Sequence, residues 1–123
     1  MQMTEVTYED AIPIDSYGPG FFRIGGEIIK GGAIIHSKGA RSWAGYEDVE
    51  SVLALKDEID FVLMGTGTNM APVHSAFRET LEAAGIGVEP MASPSACRTY
   101  NVLVSEGRRV AAVMLPVEDT AKE

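Results

Sequence analysis

Cysteine occurs once, at position 97, so no disulfide can form within this chain. A disulfide-stapled secreted framework is thereby excluded. Long apolar runs are missing too. Runs such as Phe61-Val62-Leu63-Met64 and Val110–Leu115 fall far short of the ~20 residues a membrane-crossing helix needs. The start, Met1-Gln2-Met3-Thr4-Glu5, places no basic stretch ahead of an apolar core. It reads as neither a secretory signal nor a mitochondrial transit peptide, and the chain reads as cytoplasmic. Positive charge is scarce. Ten Lys and Arg stand against eighteen Asp and Glu, for a formal net charge of −8, and Arg108-Arg109 is the one adjacent basic pair. Such a surface repels phosphates, so neither nucleic acid nor membrane insertion is expected.

What is present suits one compact domain over residues 1–123. The 123 residues are 46% hydrophobic and 23% charged, ordinary globular values. A chain of this length buries roughly two-thirds of its unfolded surface without staples. There is no internal repeat. Residues 116–123 read as a polar tail that frays.

The first third is strand-like. Phe21–Ile24 and Glu27–Ile29 flank Gly25-Gly26, a pair that tolerates the positive φ angles of a tight hairpin. Ala33–His36 forms another short strand. Ile12-Pro13-Ile14 adds an edge strand, since Pro13 has no N–H to give a central ladder. From residue 46 the pattern alternates. Residues 46–56 have helical spacing, and 61–64 is an apolar run suited to a strand buried on both faces. Val73, Ala76, Phe77, Thr80, Leu81 and Ala84 form a helical stripe stopped by Gly85. Residues 87–91 form a strand, and Ser93-Pro94 caps and opens a helix that runs to Gly107. Val110–Leu115 is the final strand. Strand–helix–strand alternation predicts right-handed crossovers, with 33–36, 61–64 and 87–91 parallel in one sheet. The fold class is therefore α/β: three layers around a mixed, largely parallel sheet of about five strands, plus an N-terminal antiparallel hairpin.

Ligands of open α/β sheets bind beyond the carboxyl ends of the parallel strands. Three loops are expected there. Ser37–Gly45 carries Arg41 and Trp43, which either stack on a planar or anionic ligand or, for Trp43, plug the core. Gly65-Thr66-Gly67-Thr68-Asn69 is neither a dinucleotide fingerprint, since position 70 is Met70, nor a Walker loop. It serves either as an anion-binding turn at a helix N-terminus or as a plain tight turn. Ala92–Ser95 leads into Cys97 and Arg98. Cys97, one turn into its helix, is either a thiol activated by the helix dipole or a small core hydrophobe. Ser93 and Ser95 read as capping residues. His36 and His74 lack partners at ligand spacing, so no metal is expected. No nucleophile–base pair is legible, no catalytic residue is assigned, no cofactor is expected, and an enzyme is not the leading reading. Partial positive charge from unpaired N–H groups at Asn69 and Ser95, with Arg41 and Arg98, suggests a small-anion site on an otherwise acidic protein.

Several segments carry a resemblance. Phe22-Arg23-Ile24-Gly25-Gly26, the Trp43 loop, Val62-Leu63-Met64-Gly65-Thr66-Gly67, Ala84–Glu89, Ser93–Leu103, and Glu106–Ala112 ending at Leu115-Pro116 resemble, in order and spacing, the domain-of-unknown-function 498 family. The resemblance covers about residues 10–117. Members of that family include an assembly factor for mitochondrial respiratory complex I (NADH dehydrogenase) and an adipogenesis-associated vertebrate protein. It implies a three-layer α/β fold and carries over no catalytic residues. The reading it favours is an accessory or assembly-type protein acting through a protein partner. The alternative is a small-molecule or anion-binding protein, or an enzyme, using the loops at the strand ends.

Overall fold

A computed structural model describes residues 5–7 and 11–118. After β1 (Glu5–Thr7), three short strands, β2 (Ile14–Gly18), β3 (Phe21–Ile24) and β4 (Glu27–Lys30), follow one another through tight turns. They form a separate antiparallel sheet, β2-β3-β4. Gly25 and Gly26 between β3 and β4 have φ of +59° and +83°, the mirror-turn geometry that only glycine adopts freely. The remaining elements are β5 (Gly32–His36), β6 (Gly39–Trp43), α1 (Val49–Leu53), β7 (Phe61–Thr66), α2 (Ser75–Ala83), β8 (Gly87–Met91), α3 (Ser93–Ser105) and β9 (Val110–Leu115).

The main sheet has the order β1-β6-β5-β9-β7-β8. It is mixed, as expected, and has one strand more than the five anticipated. Its parallel part is β9-β7-β8. The strand at 33–36 is not parallel to these: β5 pairs antiparallel with both β9 and β6. The reason lies in residues 37–43. Ser37-Lys38 turns the chain straight back, and Gly39–Trp43, read from sequence as a loop, is a strand. The helix expected over 46–56 is shorter, spanning Val49–Leu53. Asp48 caps it, its carboxylate accepting from the Ser51 N–H. Residues 116–118 do not fray. Val117 bridges Pro19, and its carbonyl accepts from the Gly20 N–H at 2.8 Å. Residues 119–123 of the expected tail lie outside the described residues.

Strand alternation sends side chains to two cores. On one face Ile34, Val62, Met64 and Val113 meet Val52 of α1 and Phe77 and Leu81 of α2. On the other, Ala33, Ile35, Leu63, Ala112 and Met114 meet Ala96, Cys97 and Tyr100 of α3, and also Phe22, Ile24 and Ile29 of the small sheet. Three layers result: α1 and α2, the six-stranded sheet, then α3 beside the small sheet. Asn101 of α3 fastens the last layer. Its amide accepts from the Ile14 N–H at 2.8 Å and donates to the Ile14 carbonyl at 3.0 Å.

Phe77 is 3% exposed and packs on Trp43 and Tyr46 at ring-centroid distances of 5.7 and 5.1 Å. Phe77→Ala is therefore expected to cost about 3–5 kcal/mol of stability. Urea melts measure it, and a loss below about 1 kcal/mol would contradict this packing.

Candidate functional site

The carboxyl ends of β7, β8 and β9 lie together, because these strands are mutually parallel. Beyond them the chain parts. The segment after β7 crosses toward the α2 layer, while residues 116–118 leave β9 toward the small sheet. Such a divergence opens a crevice at the strand ends. Here it is a cleft of about 530 Å³, with Thr66 to Asn69 and Ala71 on one side and Leu115, Pro116 and Glu118 on the other.

Ser93 holds the strand ends together beside the cleft. It is 0% exposed. Its hydroxyl accepts from the Gly67 N–H at 3.0 Å and donates to the Leu115 carbonyl at 2.6 Å. Its own N–H donates to the Gly67 carbonyl at 2.7 Å. One buried residue thus joins β7, β9 and the start of α3. Gly65 makes this approach possible: a Cβ there would sit 2.7 Å from Ser93 Oγ and 2.8 Å from Met114 Cγ. Gly67 turns the chain out of the sheet with φ of +98°.

Thr66 and Thr68 set the walls. The Thr66 hydroxyl donates to the Asn69 carbonyl at 2.7 Å and accepts from the Ala71 N–H at 2.9 Å. Thr68 Oγ1 accepts from the Glu118 N–H at 2.8 Å, which leaves its own proton to donate elsewhere. The lining is mixed, with hydroxyls, the Asn69 amide, one carboxylate, and an apolar side from Leu115, Pro116 and Ala71.

The structure places Gly65, Thr66, Gly67, Thr68, Asn69 and Ser93 together at the strand ends and separates the rest. Arg41 and Trp43 lie on β6, not in a loop. Although β6 points the same way as β7, β5 and β9 stand between them, a distance of roughly 14 Å at ~4.8 Å per strand. Trp43 is 3% exposed. It packs between Tyr46 and Phe77 and donates to the Asp48 carbonyl at 2.9 Å. Arg41 reaches Ser51 Oγ at 2.9 Å. Both serve the α1 layer. Arg98 turns back to Ser95 Oγ at 3.3 Å, and neither lines the cleft. Helix α2 begins only at Ser75, capped by His74 with no side-chain bond, so its amide groups do not open at Asn69. Ser93 is the first residue of α3 and Ala92 its cap. What sequence reasoning missed is Leu115, Pro116 and Glu118. Leu115 reads from sequence only as the end of the last strand, and Pro116 and Glu118 belong to a stretch read as tail. No local signal marks the latter two, because their place depends on contacts of residues 117 and 118 with Pro19, Gly20 and Thr68, far away in the chain.

Cys97 is a core residue, 4% exposed, with its sulfur 3.6 Å from Met114 Sδ. Burial pushes its thiol up to about 11 from an ordinary 9.0, against a smaller opposing pull from Arg98. A nucleophile needs the opposite shift. Among the described residues, no group of three or more His, Cys, Asp or Glu is placed to hold a metal ion, and no helix is long and apolar enough to cross a membrane.

Ser93→Ala leaves the buried Gly67 N–H and Leu115 carbonyl short of a partner and is expected to cost about 1–3 kcal/mol. Gly65→Ala forces a contact at 2.7 Å and should cost a similar ~1–3 kcal/mol. Denaturant melts of the two variants check both values. The folded state also holds the Cys97 proton more tightly than the unfolded chain does. That stabilisation is complete below about pH 9 and is lost as pH rises through about 11. Wild type should therefore lose stability more steeply than Cys97→Ala between these pH values. Native protein at pH 8 should resist iodoacetamide until guanidinium unfolds it.

Comparison with known proteins fits this architecture. Residues 14–115 match the family described as "Protein of unknown function (DUF498/DUF598)". An uncharacterised protein of Rhodobacter capsulatus is 45% identical over 117 residues, 95% of this chain and 94% of its own. The NADH dehydrogenase [ubiquinone] 1 alpha subcomplex assembly factor 3 of Danio rerio is 32% identical over 84% of this chain, which spans 63% of that protein's length. A crystal structure described as an outer membrane protein from Bartonella henselae superposes with a TM-score of 0.80 and 33% identity, over 90% of this chain and 99% of that one. With residues 14–115 matched and a relative 45% identical along nearly its whole length, the chain belongs to the DUF498/DUF598 family.

Proposed function

We propose that this chain is a single-domain accessory protein of assembly type, acting in the cytoplasm by contact with another protein and turning over no substrate of its own. The finer form of the proposal is a part in building respiratory complex I. The observation that carries it is the 32% identity to the Danio rerio assembly factor across 84% of this chain. The buried chemistry supports it. The thiol that could have served as a nucleophile is packed against Met114 with its proton held, and the two candidate ligand-stacking residues, Arg41 and Trp43, are spent on the α1 layer.

A second reading, a small-molecule or anion-binding protein, draws support from the cleft at the strand ends. Glu118 in its lining tilts that cleft away from anions and toward ligands bearing hydroxyl or ammonium groups.

Deleting the gene from its native organism is expected to lower assembled NADH dehydrogenase on native gels at least several-fold, with re-expression restoring it. Unchanged levels of the assembled enzyme would reject the complex I role.

A further inference from the structure

On the α3 face of the main sheet, α3 covers β7 and β9 but stops short of β8, which is the edge strand. A groove of about 400 Å³ remains between β8 and α3, floored by Phe61, Leu63 and Met91 and walled by Thr99 and Leu103. Val102, 56% exposed, extends the apolar surface over the outside of α3. Two charges stand in this apolar setting. Glu89 projects from β8 and forms no ion pair among the described residues. The Arg108 guanidinium lies 5.5 Å from the centre of the Phe61 ring. We propose that this groove receives an amphipathic helix of a partner protein, with a basic residue of that helix meeting Glu89. This deepens the protein-contact reading above and rests on it.

The edge of β8 excludes an added strand. Gly87 donates inward to the Asp60 carbonyl at 3.1 Å, so alternation turns the main-chain groups of Val88 and Pro90 outward. The Val88 carbonyl is already taken by Arg78 Nη2 at 3.4 Å, and Pro90 has no N–H. One outward donor is too little for a ladder, and this is how sheet edges are guarded against pairing. Recognition must therefore come from side chains entering the groove, the mode of a helix presenting an apolar face.

Charge selects the helix and its direction. The chain carries −8, which disfavours a second copy and favours a basic partner. Arg108 lies over Phe61, which pairs with Gly87, two residues before Glu89. That separation is roughly 6.6 Å along a strand, close to the ~5.4 Å pitch of a helix. A helix with a Lys or Arg for Glu89 and, one turn onward, an Asp, Glu or its carboxyl end for Arg108 satisfies both. The polarity matches the helix dipole, with the negative end toward Arg108. The Met91 side chain adapts to whichever apolar residues enter.

Photo-crosslinking in the native cell tests this on the full chain. Benzoylphenylalanine is placed at Thr99, beside the groove, and at Thr80 on α2 as a control, and the captured segment is read by mass spectrometry. The expected product from Thr99 is a segment with apolar residues at helical spacing and a Lys or Arg among them. Glu89→Lys should cut its yield at least tenfold with an unchanged melting curve, and exchanging that partner cation for Glu should restore it. A captured second copy, an extended segment without the pattern, equal yield of the same product from Thr80, no product, or indifference to Glu89→Lys would overturn the proposal. Should the gene deletion lower assembled complex I while the Thr99 product is absent, the groove alone falls. A Thr99 product that depends on Glu89, beside intact complex I levels, removes only the complex I role.

Discussion

The Ser93 hydroxyl is the point through which the parts of this molecule are fixed relative to one another. It lies in a space that exists because Gly65 has no side chain, and it connects an amide leaving β7 to a carbonyl ending β9. A buried hydroxyl with both functions satisfied costs little to bury, and with either lost it becomes expensive. From that joint α3 runs back over the sheet at a set height. Asn101, two turns along α3, then holds Ile14 and with it the small sheet. The same joint sets the loop after β7 opposite residues 115–118, and the cleft lies between the two segments, which meet again where the Glu118 N–H bonds Thr68.

Helix α3 therefore has two unlike flanks. One is closed by the small sheet and contributes only core. The other faces β8 across a gap that neither Thr99 nor Leu103 fills. The cleft at the strand ends has a mixed lining and lies beside Ser93, whereas this gap is mostly apolar and bordered by the Glu89 carboxylate, which forms no ion pair among the described residues. One molecule thus offers two surfaces of different chemistry, one at the start of α3 and one along its flank. Residues of the expected site that belong to neither, Arg41 and Trp43, brace the opposite layer.

Much of the fold was legible because period and punctuation agreed. The stripe from Val73 to Ala84 had an apolar face and a glycine stop, and α2 occupies Ser75–Ala83 within it. The Gly25-Gly26 hairpin was readable for the same local reason. Where sequence misled, the deciding interaction was distant. Gly39–Trp43 has few apolar residues and carries Arg41 in its middle, so nothing in its periodicity announces a strand. It becomes one because β5 supplies a ladder along its whole length. That hairpin also turned 33–36 antiparallel. Pro116 to Glu118 looked like tail because their partners, Pro19 and Thr68, are remote. The loop at the cleft has a local signal, glycines directly after a buried strand, whereas the place of Trp43, which the sequence left open between ligand stacking and core, is decided by its remote packing on Phe77.

The position of β9 has a consequence for how the molecule comes into being on the ribosome. In the sheet it lies between β5 and β7, yet it is synthesised after every strand it joins. Until it emerges, the strands it joins belong to two half-sheets, β1-β6-β5 and β7-β8, each with an apolar rim whose main-chain groups lack their neighbour. Ala111, Ala112 and Val113 are the wedge that closes both rims at once. Folding of the main sheet is in this sense vectorially delayed. A ribosome that stalls before residue 110 leaves two sticky rims instead of a smaller stable protein, the kind of species that chaperones capture and proteases clear.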